Sequence, residues 1–445
     1  MKDLERDFKK DFPLLSSQNI AYLDNAATEQ RPRVVLDAER EFYERYNANP
    51  LRGIYDLGVE ATEQYEAARK TVQKFIHAAK PKEIIFTRNT TESINLVAYS
   101  YGLTNLKAGD EILITIQEHH SNILPWQMVS RHTGAVLKYL ECEPDGSFTE
   151  EAMNTAITEK TKIAAITQVS NVLGRKNPVE KIIKKVHEKG GIVLVDGAQS
   201  VPHIPVDVQS LDADFLVFSG HKLMAPMGIG VLDGKEELLK IMPPFLTGGE
   251  MIESVTRDSA VFAELPHKFE AGTVNGGAAA GLKAAIEYIE EVGFDTIERK
   301  EAELTQYAME KMRKNPYIHI LGSEKAKEHC GIISFTLEGV NPSCGDDIVL
   351  ELKVEDDVIT DGAFVGSGCA ISQASVDIML DMIIGRKKEE ALHLAELFYK
   401  MIRSEADENE IEELEEAGAL QDIAHMPARV KCALLGWKTL KEMIK

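Results

Sequence analysis

Short apolar, β-rich runs alternate with amphipathic stretches along most of this chain, and that alternation restricts its fold more than any other feature. Strands are expected at 83–87 (EIIFT), 111–116 (EILITI), 163–168 (IAAITQ), 192–195 (IVLV) and 215–219 (FLVFS). Between them lie helical patterns such as 180–188 (EKIIKKVHE), closed by Gly190 and Gly191. Strand–helix–strand alternation predicts an α/β fold with a mostly parallel sheet and helices on both faces. In such sheets ligands bind beyond the carboxyl ends of the strands, so residues just after each strand are the first candidates for chemistry.

A chain of 445 residues is too long for one ordinary core. The pattern changes near Gly339, and a module boundary is expected at about 340, dividing 1–340 from 341–445. The second part opens NPSCGDD, holds three of the five cysteines, and carries helical patterns at 372–384, 387–402 and from Arg429. The formal net charge of −22 argues against a nucleic-acid partner, which requires a basic surface. The charged opening MKDLERDFKKDF lacks the apolar core of a signal peptide, and no apolar run reaches membrane-spanning length. Five cysteines do not make a disulfide framework in so long a chain. These features point to a cytoplasmic protein with reduced thiols and no membrane partner. The acidic run 404–418 (SEADENEIEELEEAG) reads as a solvated helix or loop.

Pyridoxal phosphate (PLP) chemistry requires an attachment lysine, an anion at the pyridine nitrogen, a platform for the ring and a phosphate cradle. Each has a candidate at a strand end. Asp196 ends IVLV in VDGAQS, where a carboxylate can pair with a pyridinium, and Gln199 could donate to the ring's phenolic oxygen. FLVFS runs into SGHK, placing Lys222 on the same rim, flanked by Ser219 and His221, which could hold phosphate. A lysine against apolar surface and a cationic ring loses its proton more easily. Arg88–Asn89–Thr90–Thr91–Glu92 follows EIIFT and reads as a capping box from Asn89 to Glu92. The N–H groups and threonine hydroxyls of that helix start suit a phosphate. His119, after EILITI, is placed to lie over the pyridine face. Singly these signals are weak, because a lone lysine is ordinarily a surface lysine and D-G ordinarily a turn. Their order and spacing give them weight.

The first ~340 residues resemble the SufS-type cysteine desulfurases, class V members of the fold-type I PLP enzymes. The matching stretches are YLDNAAT (22–28), RNTTESIN (88–95), EHHSNILPWQ (118–127), SNVLG (170–174), VDGAQSVPH (195–203), SGHK (219–222), GIGVL (228–232) and FEAGTVN (269–275). The resemblance implies that Lys222 carries the cofactor, Asp196 partners the pyridinium, Gln199 the phenolate, and His119 stacks on the ring. It places Thr91, Ser219 and His221 on the phosphate and Asn171 near cofactor and substrate. Ala26 and Ala27 would lie near the substrate, and Thr273 would reach the cofactor of a neighbouring subunit, implying a homodimer. The implied substrate is L-cysteine and the products are alanine and an enzyme persulfide, with Lys222 and His119 moving protons. The chain departs from the pattern after GIISFTLEGV (331–340): the RxGHHC stretch with the family's catalytic cysteine and the arginine for the substrate carboxylate are not found. Leu51 also replaces the histidine usual before RG, and Arg52 is the candidate substitute clamp.

The remaining ~105 residues resemble the SufU scaffold and sulfur-acceptor family, with its small α+β IscU-like fold, through NPSCGDDI, DGAFVGSGCAISQAS and PARVKCALLGWKTL. Cys344, Asp346, Cys369 and Cys432 supply three thiolates and a carboxylate, a tetrahedral set suited to Zn²⁺. Cys369 opens a helical pattern, where helix N-terminal charge favours thiolate. Lys431 stands where cluster scaffolds usually have histidine, which favours sulfur transfer over cluster assembly. Cys142 and Cys330 are read as structural. The combined expectation is a cysteine desulfurase fused to a zinc-bound sulfur acceptor serving iron–sulfur assembly proteins, with Cys369 or Cys344 receiving sulfur. The alternatives are a selenocysteine lyase, a C–S lyase, a class V aminotransferase, or a non-catalytic platform for the zinc module.

Overall fold

The computed structural model describes residues 6–18, 20–51, 53–315, 318–337 and 347–444. They form two compact units, Met1–Met312 with Ile320–Ser334, and Arg313–His319 with Phe335–Lys445. The expected boundary at 340 falls outside the described residues.

The first unit is built on seven strands: β1 (Ile84–Thr87), β2 (Glu111–Thr115), β3 (Val136–Leu140), β4 (Thr161–Thr167), β5 (Ile192–Asp196), β6 (Phe215–Ser219) and β7 (Gly230–Gly234). Their order is β1-β7-β6-β5-β4-β2-β3. The run from β6 through β3 is parallel, as expected, but β7 is antiparallel to both β6 and β1. The sequence reading named neither β3 nor β7 as a strand. β7 is short and opens on glycine, and β3 (VLKYL) is largely uncovered.

Both faces of the sheet are buried. Ile84 and Phe86, or Val193 and Val195, enter the core on one side, while Ile85 and Leu194 enter the core on the other. Period-two alternation between two covered faces explains why these strands are apolar throughout. Among the helices are α1 (Arg33–Arg45), α2 (Asp56–Phe75), α3 (Thr90–Val97), α4 (Val179–Glu188), α5 (Gly276–Val292) and α6 (Phe294–Met312), with α5 packed on α1 and α2.

The second unit has its own core. An antiparallel hairpin, Asp347–Glu355 with Val358–Ser367, turns through Asp356 and Asp357, both at positive φ. It accompanies α7 (Ala370–Ile383), α8 (Lys388–Ile402) and α9 (Pro427–Ile444). Trp437 stacks on Phe398 at 4.5 Å and donates to Ser375 Oγ at 3.1 Å, which anchors α9 to α7 and α8. The acidic run forms a helix, Glu408–Glu413, capped by Asp407, followed by the 3-10 stretch Glu415–His425.

Candidate active site

The carboxyl ends of β5 and β6 lie side by side, because these strands are parallel neighbours. Asp196 closes β5 and is buried at 3 % exposure, with Oδ1 accepting the Ala198 N–H at 2.9 Å. Burial raises its carboxyl above the usual range, and the charge of Lys222 pulls it back. Among the described residues no basic side chain forms an ion pair with it. A buried carboxylate without a salt-bridge partner suits a protonated pyridine nitrogen.

Lys222 ends the 3-10 turn Gly220–Lys222, directly after β6. Burial lowers its amine below the ordinary lysine range, opposed by Asp196. His119 and His221 are also held below the usual histidine range, by burial and then by the Lys222 charge. His119 caps the turn His120–Asn122: its Nδ1 accepts the Ser121 N–H at 3.1 Å, so a neutral ring carries its proton on Nε2.

The cradle is a hydroxyl network. Thr90 N–H donates to Ser219 Oγ at 2.8 Å, and the Thr90 and Ser219 hydroxyls meet at 2.7 Å. Thr91 Oγ1 meets Ser121 Oγ at 2.7 Å, which in turn lies 3.0 Å from His119 Nδ1. Asn89 caps α3 by accepting the Glu92 N–H at 2.9 Å. The reciprocal half of the expected capping box differs, since Glu92 accepts from the N–H of Arg88 and not from that of Asn89. Thr90 is buried and spends both polar groups on Ser219, whereas Thr91 is exposed.

Gln199 donates its amide to the Ala26 carbonyl at 2.8 Å, which joins the cofactor side to the turn containing Ala26 and Ala27. Asn171 lies in the turn after β4, half-buried. Thr273 is exposed after Gly272, a glycine at φ +83, and among the described residues it bonds to no other member of the site. Arg52 lies outside the described residues.

Sequence reasoning missed Glu118. It is buried behind His119 and receives three donors: Thr115 Oγ1 at 2.6 Å, Thr167 N–H at 2.9 Å and Asn122 Nδ2 at 2.7 Å. Burial nevertheless pushes it up to about 8. An acid next to the more conspicuous His119 was the available signal.

In the second unit Cys369 precedes α7 and the buried Cys432 lies on α9; their thiols are within hydrogen-bonding reach. Cys344 and Asp346 lie outside the described residues. Among the described residues no group of three metal-donating side chains is present, and no helix is long and apolar enough to cross a membrane.

Residues 21–383 match the family model for class-V aminotransferases. The probable cysteine desulfurase of Synechocystis sp. is 49% identical over 340 residues, covering 75% of this chain and 81% of that protein. That of Halalkalibacterium halodurans is 49% identical, covering 76% and 83%. Among solved structures, the apo cysteine desulfurase of Thermococcus onnurineus is similar with a TM-score of 0.72 and 41% identity, over 77% of this chain and 84% of that one. The cysteine desulfurase CsdA of Escherichia coli gives 0.70 and 38%, over 76% and 83%.

Proposed function

This chain belongs to the class-V aminotransferase family, among its cysteine desulfurases, and from that premise we propose that its first unit takes sulfur from L-cysteine and releases L-alanine. The observation that carries this reading is the coupling of buried Asp196 to Lys222 at the ends of adjacent parallel strands. Pyridoxal phosphate bound there supplies an electron sink for the pair left when the substrate Cα–H bond breaks. Lys222 would hold the cofactor, and its lowered amine is suited to accept the Cα proton. Asp196 would keep the ring nitrogen charged, His119 would offer an uncharged ring face, and Ser219, His221 and Thr91 would receive the phosphate. A thiolate attacking the substrate sulfur forms an S–S bond as the C–S bond breaks, so alanine and a persulfide appear together without an outside oxidant.

The second unit, in this reading, is the SufU/IscU-like acceptor, with Cys369 or Cys344 receiving sulfur and passing it to iron–sulfur assembly proteins in the cytoplasm. The meeting of Cys369 and Cys432 supports two of the four donors proposed for Zn²⁺ with Cys344 and Asp346. A homodimer is supported by exposed apolar residues of the first unit, including Leu23 and Ile54, and by exposed Thr273.

The test is alanine and sulfide release from L-cysteine by the purified protein supplied with PLP, with zinc content measured alongside. Borohydride should trap the cofactor on Lys222, and a trap on any other lysine would overturn the site. Alanine production unchanged in both Cys369→Ser and Cys344→Ser would remove these thiols from the mechanism.

A further inference from the structure

The peptide that carries Lys222 is held from behind by residues 28–31. Glu29 N–H donates to the His221 carbonyl at 3.0 Å, Thr28 Oγ1 to the same carbonyl at 3.4 Å, and Arg31 Nε to the Ala225 carbonyl at 3.2 Å. Between these anchors the chain passes through Met224 at φ +59, a left-handed conformation that side chains other than glycine rarely adopt. The Met224 backbone amide interacts with the Glu29 carboxylate. Glu29 Oε2 is buried and, among the described residues, without a hydrogen-bond partner, as is Arg31 Nη2.

A partly charged pocket surrounds that carboxylate. His203, from the turn after β5, meets Glu301 of α6 at 2.5 Å. Glu301 faces the Cys330 thiol, and the Lys222 charge is felt at His203. Arg31 and His203 favour ionised Glu29, and Glu301 opposes it.

We propose that Glu29 is a positioning residue for Lys222: its carboxylate holds the Met224 peptide in the left-handed turn and thereby fixes where the lysine amine stands. The arrangement has a reason to exist. A turn in an unfavourable backbone region persists only when its surroundings over-determine it, and Glu29 grips this one through its own N–H at His221 and through its carboxylate at Met224. Burial pushes Glu29 up to about 7, so the grip changes charge near neutral pH. Lys222 then sits on a mount whose electrostatics respond to pH.

The inference rests on Lys222 being the attachment lysine, so its test uses a readout independent of turnover. In cofactor-free protein, the rate at which an amine-acylating reagent modifies Lys222 is followed against pH by peptide mass spectrometry. Wild type, Glu29→Ala and Glu29→Gln are compared, with kcat and KM for alanine release measured on the loaded proteins. Glu29→Ala should move the Lys222 profile by about one pH unit and lower kcat by about tenfold, with little change in KM. Glu29→Gln keeps an oxygen acceptor for Met224 and should recover most of the lost rate while removing the inflection near pH 7. Superimposable labelling profiles in all three proteins would overturn the proposal. Should Glu29→Ala not fold, the glutamine variant decides alone, and an inflection retained in it overturns the proposal as well. Failure of the attachment reading would show separately, as absent borohydride trapping at Lys222 in wild type.

Discussion

Thr90 and Ser219 are joined twice, by the Thr90 N–H at 2.8 Å and by their hydroxyls at 2.7 Å. One residue starts the helix after β1 and the other ends β6, with β7 lying between those strands in the sheet. The bridge is feasible because Gly230 opens β7: a Cβ there would lie 2.5 Å from Asn89 Cα. The antiparallel strand that sequence reading overlooked is therefore what allows the two halves of the cradle to approach.

Replacing Ser219 by alanine leaves the buried Thr90 N–H without its acceptor, which costs about 1–3 kcal/mol. Denaturant unfolding of cofactor-free Ser219→Ala should show that loss, and its affinity for pyridoxal phosphate should fall by about tenfold or more. Unchanged values of both would mean that the pair neither supports the fold nor shapes the cradle.

Asp196→Asn keeps the side-chain shape and the oxygen that receives the Ala198 N–H, but removes the charge. The cofactor should still be trapped on Lys222, while alanine release should fall by on the order of 10²–10⁴-fold, the range expected when a charge or proton-handling group is lost. A variant that traps the cofactor and turns over as wild type would remove Asp196 from the chemistry.

Much of this site is legible in sequence because α/β sheets place ligands at strand ends. Asp196, Lys222 and His119 each follow an apolar run, and β5 and β6 bring the first two together through parallel pairing. What is not legible depends on partners distant in the chain. Gln199 meets Ala26 across 173 residues, and His203 meets Glu301 across 98; no local pattern marks either pair. Glu118 was hidden differently, since its neighbour His119 absorbed attention and its burial depends on β4 supplying the Thr167 N–H. In the second unit the three helical patterns begin within two residues of their expected starts, but the meeting of Cys369 with Cys432 is a product of packing between α7 and α9.

Asp233 on β7 is buried, and burial pushes its carboxyl up to about 8, with Glu83 adding to the rise. A folded-state value above the unfolded one means that the folded chain holds the proton more tightly. The stability from this group is full below the unfolded value of 3.8 and is lost as pH rises through about 8. Asp233→Asn carries no such titration. Its stability relative to wild type should therefore increase from pH 5 to pH 9 in urea unfolding, and a constant difference across that range would refute the assignment.

Arg69 and Glu270 form a buried ion pair, both side chains 1 % exposed, with Nη1 to Oε1 at 2.7 Å and Nη2 to Oε2 at 2.9 Å. Glu270 also receives the Phe86 N–H at 2.7 Å and the Tyr65 hydroxyl at 3.0 Å. It thus ties the FEAGTVN segment to β1, the strand that leads into the cradle. Glu270→Leu alone strands the Arg69 charge and should cost about 3–5 kcal/mol. The double variant Arg69→Met with Glu270→Leu removes both charges and should recover part of that loss. Full recovery is not expected, because the Phe86 N–H still loses its acceptor, at about 1–3 kcal/mol. If the double variant is no more stable than Glu270→Leu in denaturant unfolding, the single-variant penalty comes from the Phe86 and Tyr65 bonds and not from the stranded guanidinium.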